Sequence, residues 1–218
     1  MGKIKGFEDK SQLPQKVLQM YEAVAQLMEE GADINNIRVS TITDRAGIGK
    51  GTAYDYFDTK EEIIACAILF QMKTLTETIK QQMTGIKNFS EQVTFLFDAL
   101  ENEDIKQSCF LQYVHNLTDN SPIAELVRTR MLDKSFEEHS IWNLMQNWLE
   151  QGIANGEVRD DLPMEYLIYT IFSKLVTFLG FYAMKDLVQL DVDKIRPYAK
   201  KSILEELCKK NMKFSVDK

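Results

Sequence analysis

Cysteine, histidine, proline and glycine are all scarce, with three, two, four and ten residues respectively in a chain of 218. Cys66, Cys109 and Cys208 form an odd, widely spaced set without a CxxC pair. That excludes a disulfide framework and a cysteine zinc site, and predicts free thiols in a reducing cytoplasm. Neither His115 nor His139 has a second histidine three or four residues away, so no metal-ligating pair on a helix face is expected. The low proline and glycine content argues against disorder or a fibrous repeat and favours helix. Positive charge is not in excess either. The net charge is −7, and residues 1–60 carry eight Lys or Arg against nine Asp or Glu. Any grip on a polyanion must therefore rest on a few well-placed cations. No nucleophile–base pair, phosphate loop or paired-carboxylate motif occurs, so no catalytic residue, metal or cofactor is expected. The leading MGKIKGFEDK lacks the apolar core of a secretory signal, and the expected location is cytoplasmic.

What the sequence does hold is helical periodicity. Val17, Tyr21, Val24 and Met28 recur at helical spacing, widened by Leu18, Ala25 and Leu27, and Gly31 follows as a stop, which predicts a helix over 14–30. A short helix over 39–46 ends at Gly47, and another over 50–57 follows Ile48 and Gly49. Two short helices across a glycine-containing turn form the pattern of a helix-turn-helix. Thr59 and Glu62 make a capping box that starts a helix running to about residue 83, roughly 36 Å long. Further helices are predicted over about 90–102, 104–117, 123–154, 163–187 and 193–212, the 123–154 segment being open to division into two. No strand run or internal repeat is evident, so the fold class is all-α.

Residues 166–184 are nearly all apolar and long enough to span a bilayer. Lys174 near their centre would cost roughly 3 kcal/mol on insertion, and Tyr166, Thr170, Ser173 and Thr177 add polarity. A buried bundle helix is expected, with no membrane.

In a helix-turn-helix the second helix enters the major groove and the first steadies it across the backbone. Here the reader would be the 50–57 helix. On its wheel Ala53 and Phe57 fall on the core side, leaving Gly51, Thr52, Tyr54 and Asp55 outward and Lys50 and Tyr56 at the boundary. Gly51 lets backbone approach DNA, Thr52 suits a phosphate or a thymine methyl, and Lys50 suits phosphate or guanine. The hydroxyls of Tyr54 and Tyr56 suit phosphate oxygens. Arg38, Ser40 and Thr41 at the start of the preceding helix, and Lys60 at the start of the next, are placed to grip the backbone on either side.

At these residues the sequence ITDRAGIGKGTAYDYFDTKEEI resembles the TetR family of bacterial transcriptional regulators, whose pattern runs close to IA-x-x-AGVSKGTLY-x-HF-x-SKEEL. Ala46, Gly47, Lys50, Gly51, Thr52, Tyr54, Phe57, Lys60 and Glu61 match at the same spacing. The resemblance covers about 50 residues. It implies a three-helix helix-turn-helix DNA-binding head, residues 1–60, on a larger helical ligand-binding and dimerisation body, residues 61–218, a homodimer formed through the last two long helices and therefore a roughly palindromic operator, and a repressor released by a small molecule. Departures occur at Thr43, where the family prefers Ala, at Gly49, where Ser usually caps the reading helix, and at Ala53, which replaces a larger aliphatic. Asp55 is the fourth, since a carboxylate near phosphates is repelled unless it accepts a hydrogen bond from cytosine N4 or pairs with a cation.

The body is rich in aromatic residues and methionine, which fits a largely apolar effector. Phe110, Tyr113, Trp142, Met145 and Tyr169 are the candidate pocket wall, on helices expected to bracket a cavity. The alternative is a DNA-binding regulator whose body binds a protein partner and no small ligand.

Overall fold

The structure is a computed structural model that describes residues 4–101, 119–187, 189 and 191–209. The predicted helix over 104–117 lies outside the described residues, as do Cys109, Phe110, Tyr113 and His115. Ten α-helices are described. They are α1 (Gln15–Glu29), α2 (Val39–Ala46), α3 (Lys50–Tyr54), α4 (Lys60–Gln82), α5 (Phe89–Glu101), α6 (Pro122–Met131), α7 (Lys134–Glu137), α8 (Ile141–Ala154), α9 (Met164–Ala183) and α10 (Val192–Leu207). Among the described residues the only β pairing is one isolated antiparallel bridge, Val158 to Cys208. The chain is all-α.

The chain divides into two compact units, one of residues 1–77 with 108–140 and the other of residues 78–107 with 141–218. In the first unit α1 packs on α2 and α2 on α3. Val17, Met20, Tyr21, Ala23, Val24 and Leu27 of α1 are buried, so the stripe is centred one position away from the expected Met28, which is only half-buried. Ile42, Thr43 and Ala46 of α2, Ala53 of α3, Phe57, and Ile63 to Leu69 of α4 complete this core. The Tyr21 ring lies 6.2 Å from that of Phe57 and 5.3 Å from that of Phe70.

Gly47 ends α2 in the left-handed region, φ 66°, where a side chain would be strained. Its N–H donates to Asp44 O and the Ile48 N–H to Thr43 O, at 3.2 and 3.0 Å, which closes the last turn in a Schellman motif. The expected 123–154 helix is divided in three. The Asp133 carboxylate accepts the Ser135 N–H and starts α7 afresh, and the chain turns again at His139 and Ser140 before α8. An aspartate satisfies free amides best at a helix start, so it favours a new helix over continuation.

An N-terminal arm, residues 4–9, is packed into the same unit. Ile4 and Phe7 are buried, and the Phe7 ring meets Phe136 of α7 edge-on at 5.5 Å. Gly6 adopts φ +96° and lies so close to α4 that a Cβ there would come within 2.6 Å of Cys66 Cα. Lys73 of α4, almost fully buried despite its charge, donates to Phe7 O at 3.2 Å and to Asp9 Oδ1 at 2.8 Å. The periodicity of α4 does not single out this cation, because the groups that accept its hydrogen bonds, Phe7 O and Asp9 Oδ1, lie 66 and 64 residues away in sequence.

In the second unit α9 packs on α8 and α10, and α5 packs on α8 and α10. Phe97 meets Phe178 edge-on at 4.9 Å, and Trp142 packs on Phe172 at 4.8 Å. α10 stops at Leu207, short of the expected 212. There the chain turns extended, Arg159 N–H donating to Leu207 O and Lys209 N–H to Glu157 O, so two backbone strands meet where a helix was predicted to continue. α9 is the one described helix long and apolar enough to cross a membrane, and only a third of its most apolar window is buried within the chain.

Gly6 and Gly47 separate two costs. Gly47→Ala adds a Cβ into open space and should lose about 1 to 2 kcal/mol from left-handed strain alone. Gly6→Ala adds the same strain and a backbone clash, and should lose about 1 to 3 kcal/mol more. Urea denaturation of both variants checks this, and equal losses would show that the arm does not bear on α4.

Candidate nucleic-acid interface

The proposed reading helix, α3, holds five residues, shorter than the expected 50–57, because its hydrogen bonds tighten after Tyr54. The winding still carries on, with Phe57 N–H donating to Ala53 O at 3.0 Å. The wheel's core side is observed: Ala53 and Phe57 are buried. Lys50, Gly51, Tyr54 and Asp55 are exposed, and Thr52 and Tyr56 are half-buried. On α2, Arg38 sits in extended conformation just before the helix, and Arg38, Ser40 and Thr41 are exposed while Val39, Ile42 and Thr43 are buried. The structure therefore puts seven of the ten candidate DNA contacts in solvent, on two helices that share one buried side.

Lys60 is placed differently. Its Nζ donates to Asn35 O at 2.7 Å and lies 3.7 Å from Glu61 Oε1, so this ammonium ties the start of α4 to the α1–α2 loop. Asn35 is in turn shaped by Asp33, whose carboxylate accepts the Asn35 N–H and the Asn36 side-chain amide. Arg45, the other cation of α2, pairs with Glu30 at the end of α1. The Arg45 guanidinium holds the Glu30 carboxyl below its usual range, and Glu30 raises Arg45 in return. Arg38 and Lys50 are thus the exposed cations that α2 and α3 direct to solvent.

Two of the departures from the family pattern have local explanations. Thr43 is buried, but its hydroxyl donates to Ser40 O at 3.1 Å one turn back, so no polar group is stranded. Gly49 precedes α3 with φ −73° and ψ 145°, ordinary capping geometry, and offers no side-chain cap. Asp55 is exposed where α3 ends.

The expected capping box is half formed. Thr59 Oγ1 accepts the Glu62 N–H at 3.1 Å, but the Glu62 carboxylate reaches one residue further back and accepts the Asp58 N–H at 2.9 Å. Its other oxygen accepts from Arg130 Nη2 of α6, also at 2.9 Å. Arg130 Nη1 faces Ile4 O, Lys5 O and Cys66 Sγ. Burial pushes the Cys66 thiol up to about 12 and the Tyr21 phenol well above its usual range. Cys66 is therefore a packed, protonated thiol at neutral pH. Nothing in the spacing of the sequence pointed to Arg130.

Of the candidate pocket wall, Phe110 and Tyr113 fall outside the described residues. Trp142 is half-buried against Phe172 and Met145 is fully buried. Tyr169 is 62% exposed, beside Tyr166 on the outer face of α9, so within one chain it lines no enclosed space. Among the described residues no group of His, Cys, Asp or Glu is arranged to hold a metal ion.

A buried α1–α2 pair presenting a short exposed helix after a left-handed glycine turn defines a helix-turn-helix protein. Residues 22–66 match the family described as bacterial regulatory proteins, tetR family. The chain is 23% identical over 177 residues to a fatty acid metabolism regulator protein of Bacillus subtilis (strain 168), covering 78% of this chain and 85% of that one. It is 27% identical over 135 residues to the HTH-type transcriptional repressor KstR2 of Mycolicibacterium smegmatis, covering 60% of this chain and 62% of the repressor. Its fold is similar to that of the transcriptional regulator FadR from Bacillus subtilis in complex with stearoyl-CoA, with a TM-score of 0.63 at 19% identity, covering 86% and 95% of the two chains. Over residues 22–66 the chain thus resembles the TetR family of bacterial transcriptional regulators, and its fold as a whole is similar to theirs.

If Gly49 occupies a true capping position, Gly49→Ser should stabilise the protein by a few tenths of a kcal/mol. The added Cβ would meet only Thr52 Oγ1, at 3.9 Å. Thermal melts of the two proteins side by side check this, and a lower midpoint in the variant would remove the capping argument.

Proposed function

We propose that this chain is a ligand-responsive DNA-binding transcriptional repressor that acts as a homodimer in the cytoplasm and is released from a palindromic operator by a largely apolar small molecule. One observation carries the reading. The residues of the matched family pattern divide by burial, Ala46 and Phe57 inward, with the departing Ala53 beside them, and Lys50, Gly51 and Tyr54 outward, as a groove-reading helix requires. In this reading residues 1–60 bind DNA and residues 61–218 bind effector and the second copy. Lys50, Gly51, Thr52, Tyr54, Asp55 and Tyr56 face the groove. Arg38, Ser40 and Thr41 hold phosphate on one side, and Lys60 serves on the other by fixing the α1–α2 loop.

The named relatives support an acyl effector, since one regulates fatty acid metabolism and one is seen with stearoyl-CoA. Trp142 and Met145, with Phe110 and Tyr113, are the candidate wall for the acyl chain; Tyr169 belongs instead to the dimer face. An effector releases DNA only by binding the DNA-incompetent conformation more tightly.

The outer side of α9 supports the dimer. Tyr166, Tyr169, Phe181 and Met184 are exposed there, and Leu187 and Tyr198 are exposed nearby in sequence. So much large apolar surface in one region marks an interaction site, and a second copy of the same face satisfies it by two-fold symmetry.

A mobility-shift titration against the strongest genomic binding site tests DNA binding. Affinity should fall steeply with salt, and Lys50→Ala and Tyr54→Ala should each weaken it by about 1 to 3 kcal/mol. Unchanged affinity in both variants would remove α3 as the reader. Long-chain acyl-CoA added to the same complex should free the DNA at concentrations where free CoA does not; no release across chain lengths would overturn the acyl effector.

For the dimer, light scattering should give twice the chain mass of 25.2 kDa. Tyr169→Glu with Phe181→Glu should give the single mass and lose tight operator binding. A variant that stays dimeric would move the interface elsewhere.

A further inference from the structure

We propose that Arg130 is a positioning residue for DNA binding: from α6, outside the helix-turn-helix, it sets through Glu62 the geometry of the turn that joins the reading helix to α4. The inference rests on the DNA-binding reading above and adds to it the element that holds the reader in place.

The relay is short. α3 ends at Tyr54, and the chain reaches α4 at Lys60 through a connection whose Asp58 N–H is held by Glu62 Oε2 at 2.9 Å. Glu62 Oε1 accepts a hydrogen bond from Arg130 Nη2 at the same distance. One carboxylate thus joins the reader's exit turn to α6. Both side chains are largely withdrawn from water, 15% exposed for Arg130 and 14% for Glu62. Charge-assisted hydrogen bonds are stronger and more directional in such a setting than on an open surface.

Arg130 is itself fixed. Its Nη1 faces Ile4 O at 3.1 Å, Lys5 O at 3.0 Å and Cys66 Sγ at 2.5 Å, so the guanidinium fork is turned inward onto the arm and α4. The arm is held to the same region by Lys5 Nζ on Asp133 Oδ2 at 2.8 Å and by Phe7 on Phe136. Lys5 holds the Asp133 carboxyl far below its usual range. A shift of α6 therefore pulls on Glu62, and Glu62 on the Asp58 amide, four residues past the last residue of α3.

A guanidinium with four inward acceptors is poorly disposed to reach a phosphate, and this separates the positioning role from direct contact. Loss of a phosphate contact weakens specific and non-specific DNA alike and makes the salt dependence shallower by about one unit of slope. Loss of positioning weakens the specific site alone and leaves the slope unchanged.

The test uses the full chain, a duplex carrying its strongest genomic binding site, and a scrambled duplex of equal length. Arg130→Met, Arg130→Lys and Glu62→Gln are each titrated across a salt series, with thermal melting to verify folding. Expected is a loss of about tenfold in specific affinity for Arg130→Met, little change on the scrambled duplex, and an unchanged slope. Arg130→Lys keeps the charge but not the fork, and should lose several-fold in the same direction. The double variant Arg130→Met with Glu62→Gln should be no weaker than the weaker single variant, as members of one relay are not additive. If Arg130→Met does not fold, Arg130→Lys and Glu62→Gln decide on the same criteria. Folded variants with wild-type specific affinity, or losses equal on both duplexes with a shallower slope, overturn the proposal. A wild-type chain that does not distinguish the two duplexes overturns the DNA-binding reading itself.

Discussion

A helix of five residues cannot hold itself together in water, because the cost of fixing its first turn is not repaid over so short a length. α3 exists because Ala53 and Phe57 are buried beneath it, Phe57 against the ring of Tyr21 on α1. Full burial of one such aromatic contributes about 2 to 3 kcal/mol, more than the propensity of a five-residue helix can supply. Everything exposed on α3 owes its orientation to that anchor. The left-handed turn at Gly47 then sets where α3 starts relative to α2, and the Asp58 and Thr59 connection sets where it ends.

The acidic balance of the chain looks less contradictory once the charges are located. Glu30 neutralises Arg45, Asp133 holds Lys5, and Asp9 with Glu77 surrounds the buried Lys73. These cations are held by carboxylates of the chain itself, whereas Arg38 and Lys50 stand exposed on the outer side of α2 and α3. Bulk charge reports on solubility and steering, whereas recognition depends on which cations face outward. His139 belongs to the same interior economy, 3.4 Å from Glu77 and shifted below its usual range by burial and by Lys73.

The uniform apolarity of α9 follows from two different demands on one helix. Leu167, Ile171, Leu175, Phe178 and Leu179 fill the second unit's own core, while Tyr166, Tyr169 and Phe181 remain outside it. A helix with one covered and one uncovered apolar side reads in composition like a membrane span, and hydropathy cannot separate the two.

The sequence by itself determined the helix-turn-helix, the all-α class and the buried positions of α3, because these follow from local periodicity, a glycine that alone tolerates a left-handed turn, and side chains a few residues apart. The wheel that assigned Ala53 and Phe57 to the core needed no distant information. Only the tertiary structure decided that residues 123–154 form three helices, that Glu62 caps Asp58 in place of Thr59, that Lys60 is drawn to Asn35, and that Arg130 closes on Glu62 and the N-terminal arm. In each case a charged or polar group chose among several nearby partners. That choice depends on which acceptor is desolvated and within reach after folding, and a partner 68 residues away leaves no periodic trace in the sequence.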